Sequence, residues 1–450
     1  MRYLLALLIF FLTTIDVFGW TLSLAPGLSV KNAILYLILL TLSARFVVRG
    51  GLRLELPRLH LWFAVLIAYA TLSWLIVGVL VQYKFYTLRG SGIDLKAELL
   101  DNAIVFAVYL YGTRTVPEAK FLLKCILLAV TAANAIAIGN VAGLFQIGIT
   151  PIGTEGNLTG RVYGAFGHAN ETAALIVCLL PAFVAAALSS RGMARAFWAL
   201  AGSVSATLMI MTGSRGAFVG LALATVFGSY LCRRIISWRR AATLFVILGA
   251  VAVPVLALAS VKFGGILTER VTELILSPAT SSDERLYIWR PILDKMMANP
   301  VTLITGFGWD AYDVMGFFYN VHNHYLSLWF ELGIIGLASY LMVIVQLLIT
   351  ARRAAGQASD ETARYLIAFI YGIVAVSGAV FFSQLFKPWL YIWIYSGLTM
   401  RMAVIALQTA PSTARNELRG ATQLDSPATV AHRGGPRLPA SHRGRSSRAP

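Results

Sequence analysis

The chain has 450 residues, of which 58% are hydrophobic and 13% charged, with a formal net charge of +17 and a mean hydropathy of +0.74. A soluble domain carries about 45–50% apolar and about 25% charged residues, so this composition excludes an ordinary soluble enzyme and points to a polytopic membrane protein. The basic excess does not indicate nucleic acid, because most of it lies in short gaps between apolar runs, the pattern of cytoplasmic loops.

A membrane span needs roughly 20 mostly apolar residues. By that rule the chain is all-α, with about twelve transmembrane helices. They centre near Phe10, Leu39, Ala70, Phe106, Val130, Leu179, Leu200, Leu223, Gly249, Ala338, Val374 and Ile394. The first run, Tyr3–Trp20, reads as a span and not a signal peptide, since Gly19-Trp20 is a poor cleavage site. The fourth, Leu95–Tyr111, holds Lys96, Glu98 and Asp101 and reads also as a short or interfacial helix. Cys125, Cys178 and Cys232 lie in or beside apolar stretches and form neither a disulfide framework nor a metal knuckle.

With the N-terminus in the cytoplasm, the basic clusters Arg45–Arg58, Arg114–Lys124, Arg191–Arg195, Arg233–Arg240 and Arg352–Arg364 all fall on one side. This predicts both termini in the cytoplasm. The opposite side receives Gln82–Asp94, Gly148–Asn170, a tight turn at Gly213–Gly216, one long loop at Val261–His322 and a short turn at Ser383–Lys387. We expect one transmembrane domain over residues 1–410, including the loop 261–322, followed by a tail over 411–450. The tail is rich in Arg, Pro, Ser, Gly and Ala, has no aromatics and is expected to be disordered and cytoplasmic. No internal repeat is visible.

Basic residues are scarce on the outward side, so those present are informative. Arg161 opens one outward motif, Gly160-Arg-Val-Tyr-Gly-Ala-Phe-Gly-His168-Ala-Asn170, and Arg215 sits in the short turn Thr212-Gly-Ser-Arg-Gly216. An Arg so close to two spans faces either a polar cavity or a phosphate, or snorkels to lipid headgroups. In the long loop, Glu284–Met297 sets Leu286, Trp289, Leu293 and Met296 at helical spacing, which predicts an amphipathic helix on the membrane face. Arg285 and Arg290 lie on it, where a solvated helix face is the alternative reading. His168, His322 and His324 also face outward. No HExxH is present, so a metal is not expected. A general base is the better use, since an ordinary imidazole pKa near 6.5 suits proton abstraction at neutral pH. A capping or interfacial histidine is the alternative.

The outward elements together resemble the O-antigen ligase and polymerase superfamily. His322-Asn323, nine residues, then Gly333-Ile-Ile-Gly336 match its hallmark, with Glu331-Leu332-Gly333 inside it. Thr212–Gly216 matches its Thr-Gly-Ser-Arg-Gly turn. Arg285, Trp289, Pro300, Gly306 and Gly308 follow its long-loop pattern at looser spacing, and Gly164, Phe166 and Asn170 its Gly-x-Phe-x-x-x-Asn.

The resemblance implies an inverting glycosyltransferase of the bacterial inner membrane, with its site facing the periplasm and with no metal or other cofactor. The donor would be an undecaprenyl-diphosphate-linked glycan, and the acceptor lipid A core or a growing saccharide. Arg215 and Arg285 would hold the diphosphate, and His322 would deprotonate the acceptor. Arg161, Asn170, Trp289, Asn323, His324 and Glu331 would support them, with His324 or His168 as substitutes for the base. Gly333 and Gly336 would let their span pack closely on a neighbour. Membrane lipids, and a chain-length regulator or flippase, are the expected partners. The alternative is a flippase or other multi-span transporter, which predicts charges at mid-span and repeated halves.

Overall fold

The computed structural model describes residues 1–20, 22–26, 28–48, 54–147, 162–235, 278–317, 320–385 and 387–409. The predicted span at Gly249, the loop before residue 278, Arg161 and the tail 411–450 lie outside the described residues.

Long apolar runs form helices because only a helix satisfies its own backbone polar groups in lipid. Among the described residues nine helices are long and apolar enough to cross a membrane: Val30–Val48, Pro57–Val81, Val116–Val141, Ala169–Leu188, Gly192–Met211, Arg215–Cys232, His324–Ala355, Asp360–Phe382 and Pro388–Thr409. Two further helices cover the remaining described centres. Arg2–Phe18 has 17 residues, and Leu88–Leu95 runs through a π turn into Asp101–Gly112. The one sheet among the described residues is a two-stranded pairing of Ser23–Ala25 with Leu28–Ser29.

Small residues bring the central helices together. A Cβ on Gly372 would lie 2.2 Å from the Cys178 carbonyl oxygen, and one on Gly220 would lie 2.2 Å from that of Ala375. Asp360–Phe382 is thereby clasped between Ala169–Leu188 and Arg215–Cys232, the packing that small-residue membrane helices favour. Polar pairs pin the rest. Asn134 donates to the Ser205 hydroxyl at 3.1 Å, Tyr391 to Asp16 at 2.6 Å, and Arg401 meets Glu55 at 2.6 Å.

The span His324–Ala355 is not continuous. At Gly333 the backbone turns to φ 60°, ψ −170°, so the helix breaks there. The loop Gly306–Gly308 fills the break. Phe307 N–H donates to the Phe330 carbonyl and Gly308 N–H to the Glu331 carbonyl, both at 2.8 Å. These are the carbonyls a broken helix leaves without intrahelical partners. Gly333 therefore serves a kink and a close backbone approach, and not the span-to-span contact expected of it. Gly336 meets Leu332 of its own helix.

Candidate functional site

Three chain segments, distant in sequence, reach the short stretch Val380–Phe382 at one end of the central helix. The first is the turn before Arg215. The Thr212 hydroxyl donates to the Met209 carbonyl at 2.6 Å and accepts from Ser214 N–H at 3.3 Å, which closes the turn around Gly213. Arg215 then starts its helix, half-buried. The next residue, Gly216, lies so close that a Cβ there would be 3.0 Å from both the Ala379 carbonyl oxygen and the Phe382 Cβ. A side chain at 216 would push the Arg215 turn off this stretch.

The second segment is the loop helix Pro278–Ala298. Its Arg285 guanidinium sits over the Phe382 ring, Cζ 4.8 Å from the centroid, a distance at which the ring quadrupole attracts the cation. One turn on, Trp289 packs edge-on against Phe381 at 5.8 Å. The face this helix buries overlaps the expected one in part. Ile292 and Met296 are buried, with Ile288 and Trp289 packed beside them, while Leu286 and Leu293 are exposed.

The third segment is the approach to the His322 motif. Trp289 donates its indole N–H to the Val321 carbonyl at 2.9 Å, which ties the arginine helix to the residue before His322. His322 itself has φ 50°, a left-handed conformation that a non-glycine residue adopts only when its surroundings hold it. It precedes the helix. Asn323 is the N-cap, with its side-chain oxygen accepting from Leu326 N–H at 3.0 Å. Tyr325 then returns to the central helix through its hydroxyl, which donates to the Ser377 carbonyl at 2.8 Å.

The two motif histidines occupy different surroundings. His322 is half-buried just ahead of the helix, whereas His324 begins the helix among the rings of Trp389 at 5.2 Å and Tyr340 at 5.3 Å. His324 lines a cavity with Glu98, Asn102, Ser327, Glu331 and Gln384. His168 is the N-cap of Ala169–Leu188, its Nδ1 accepting from Asn170 N–H at 3.3 Å. The capping alternative therefore describes His168, and Asn170 lies in the first turn that it caps.

An acidic group escaped the sequence reading. Asp94, Glu98, Asp310 and Asp313 are close enough to interact, and the Asp310 backbone meets the Glu331 carboxylate. Burial, then the charges of Asp94 and Asp313, push the Asp310 carboxyl up to about 7. Asp310 has φ 62°, and the Gly-Phe-Gly-Trp-Asp run before it was the one local signal of a special turn. Phe381 and Phe382 were missed too, and nothing in the sequence marks them. Beside them opens an apolar groove of about 340 Å³, lined by Val219, Leu223, Phe227, Val374, Phe381 and Phe382. Among the described residues no three His, Cys, Asp or Glu side chains are grouped to hold a metal ion.

Residues 200–341 match a family model described as O-antigen ligase. The matched stretch carries Arg215, Arg285, His322 and Gly333, and it supports the resemblance to the O-antigen ligase and polymerase superfamily. No curated protein matches the chain. The family match and the membrane helices support a membrane glycosyltransferase-like function.

Proposed function

We propose, from that family match and the rim geometry together, that the protein transfers or polymerises glycan from an undecaprenyl-diphosphate-linked donor. The reaction takes place on the periplasmic side of the inner membrane, without a metal, and inverts the sugar carbon. The observation that carries this reading is the shared anchorage. The Arg215 turn and the Arg285 side chain both rest on Phe382, and Trp289 joins the Arg285 helix to the residue preceding His322.

Each group has a role. A diphosphate is a polyanion, and guanidinium forks suit its oxygens. Arg215 and Arg285, fixed from two different segments, stabilise the negative charge that builds on the diphosphate as the sugar C1–O bond breaks. His322 accepts the proton of the attacking acceptor hydroxyl, whose oxygen forms the new bond to C1. The polyprenyl diphosphate leaves with the bonding electrons. The apolar groove beside Phe381 and Phe382 suits the isoprenoid tail. Asn323 sets the helix start that positions the base, and Trp289 is a positioning residue. Arg161, outside the described residues, and Asn170 remain candidates for the donor side. The acceptor is lipid A core or a growing saccharide.

One observation favours the transporter alternative: a span broken at Gly333 beside the carboxyl groups of Glu98 and Glu331, as in transporters with discontinuous helices. One assay separates the two. Purified protein is reconstituted with polyprenyl-diphosphate-linked repeat units, and product length is read. The enzyme reading expects longer glycan, or transfer to a lipid acceptor, with both lost in His322→Ala and Arg285→Ala. If those variants, present at normal levels in cells, still assemble full-length surface polysaccharide, the reading is wrong.

A further inference from the structure

We infer that Pro300–Trp309 is a re-entrant element. It dips into the leaflet at the Val81 end of the span Pro57–Val81 and presents Val301 and Ile304 to the acyl chains.

The depth follows from contacts along that span. Ser73 Oγ accepts from Trp309 N–H at 3.2 Å. A Cβ on Gly308 would lie 1.8 Å from Val77 Cγ2. The Tyr69 hydroxyl donates to the Thr305 carbonyl at 2.9 Å. Ser73 is the best marker, because its side chain is short. Arg58 marks the opposite interface. At about 1.5 Å of rise per residue, Ser73 lies on the order of 22 Å from Arg58. The hydrocarbon layer is about 30 Å thick, so the Trp309 amide sits roughly 8 Å below its far boundary. The far end of the helix has the surface a lipid-facing segment needs. Val79, Leu80 and Val81 are 54%, 76% and 47% exposed, an apolar surface beyond Ser73 that suits lipid.

The element satisfies its backbone as a segment out of reach of water must. Gly306 N–H donates to the Thr302 carbonyl, and Phe307 and Gly308 donate into the broken helix. Side chains cover the carbonyls. Trp329 donates to Leu303, Tyr69 to Thr305, Tyr83 to Phe307 and Tyr86 to Trp309. A loop bathed in solvent needs no such set, since water supplies the partners.

Its free surface is mostly apolar, and the exposed Thr305 turns its hydroxyl back onto the Val301 carbonyl at 3.2 Å. Val301 and Ile304 are 64% and 55% exposed, while Thr302 between them is buried. Leu293 and Met297, also exposed, lie four residues apart on one face of the preceding helix. The adjoining face of the span is apolar and exposed as well, at Leu72 and Ile76, three and seven residues on from Tyr69 on one helix face. The two surfaces are continuous, and the occupant that fits both is the lipid around the span.

The test places a nitroxide on single cysteines at 301, 304, Leu80 and Arg290 in the full chain, reconstituted in liposomes. Cys125, Cys178 and Cys232 are buried, so the introduced thiol is labelled selectively. Collision with oxygen is compared with collision with a water-soluble nickel chelate. Positions 301 and 304 are expected to match the oxygen-dominated ratio of Leu80, and Arg290 to be dominated by nickel. A nickel-dominated ratio at either position, or protection from both reagents as under a partner protein, overturns the inference. If one variant fails to fold, the other decides it.

Discussion

Gly306 and Gly333 meet backbone to backbone. A Cβ on Gly306 would lie 2.1 Å from the Glu331 carbonyl oxygen, and one on Gly333 would lie 2.1 Å from that of Ile304. The loop glycines and the first glycine of the motif's Gly333-Ile-Ile-Gly336 are thus two halves of one joint. Through it the loop that follows the arginine helix is locked to the helix that follows His322.

Gly333→Ala would have to hold a side chain at φ +60° against a backbone carbonyl. Strain at such a position costs about 1–3 kcal/mol before any clash. We expect a total loss above roughly 3 kcal/mol, seen as failed accumulation or a large fall in the thermal midpoint in detergent, and the same for Gly306→Ala. Gly316→Ala is the control. It has φ +73° but nothing within 4 Å of the added Cβ, so it should lose only about 1–2 kcal/mol. Equal losses at all three positions would show that the joint adds nothing beyond backbone strain.

Trp289→Phe keeps the ring against Phe381 and removes the indole donor to the Val321 carbonyl. One such bond is worth about 0.5–1.5 kcal/mol. The variant is expected to reach the membrane at normal levels and to form glycan about fivefold to tenfold more slowly, as a loosened His322 would require. Wild-type turnover in Trp289→Phe would mean that this bond does not position the histidine.

The spans were legible because an apolar run of their length has one stable backbone solution in lipid, and every described predicted centre lies in a helix. The Thr212–Ser214 turn was legible from its small residues. The face of the loop helix was legible only at Trp289 and Met296. Ile288 and Ile292 turn inward while Leu286 and Leu293 stay exposed, and apolar residues on two faces leave helical periodicity no direction to choose. The anchorage on Phe382 was equally hidden. It joins residues near 215, 285 and 382, and only packing in three dimensions reveals it. The hallmark spacing named His322 with His324 as a substitute, and the different surroundings of the two rings came only from packing.

Asp310→Asn should change how stability depends on pH. The wild-type carboxyl is raised from its ordinary 3.8 to about 7 in the folded protein, so between those values the folded state holds a proton that the unfolded chain has lost. Wild-type stability from this group is full below about pH 4 and falls as pH rises towards 7. Asparagine does not titrate, so the variant gains on the wild type across that window and then levels off. Because Asp310 is partly exposed, solvent screening limits the gain to about 1–2 kcal/mol. Thermal midpoints of the two proteins in detergent from pH 4 to 8 test this. A difference that does not vary with pH would contradict it.

His322 and His324 should separate cleanly by substitution. His322 precedes the helix in a left-handed conformation and is the proposed base, so His322→Ala should lower glycan formation by about 10²–10⁴-fold, the usual contribution of a positioned general base. Its thermal midpoint should fall less than that of His324→Ala, which empties a space among aromatic rings. His324 lies among Tyr340 and Trp389, so His324→Ala should instead open a void and lose about 2–4 kcal/mol of stability, with any loss of activity following from that. His324→Phe refills the space and should recover both stability and most of the activity. The decisive comparison is therefore product formation by His324→Phe beside His322→Phe at equal protein level. If the first is inactive and the second active, the base is His324, and the assignment of the proton acceptor to His322 is wrong.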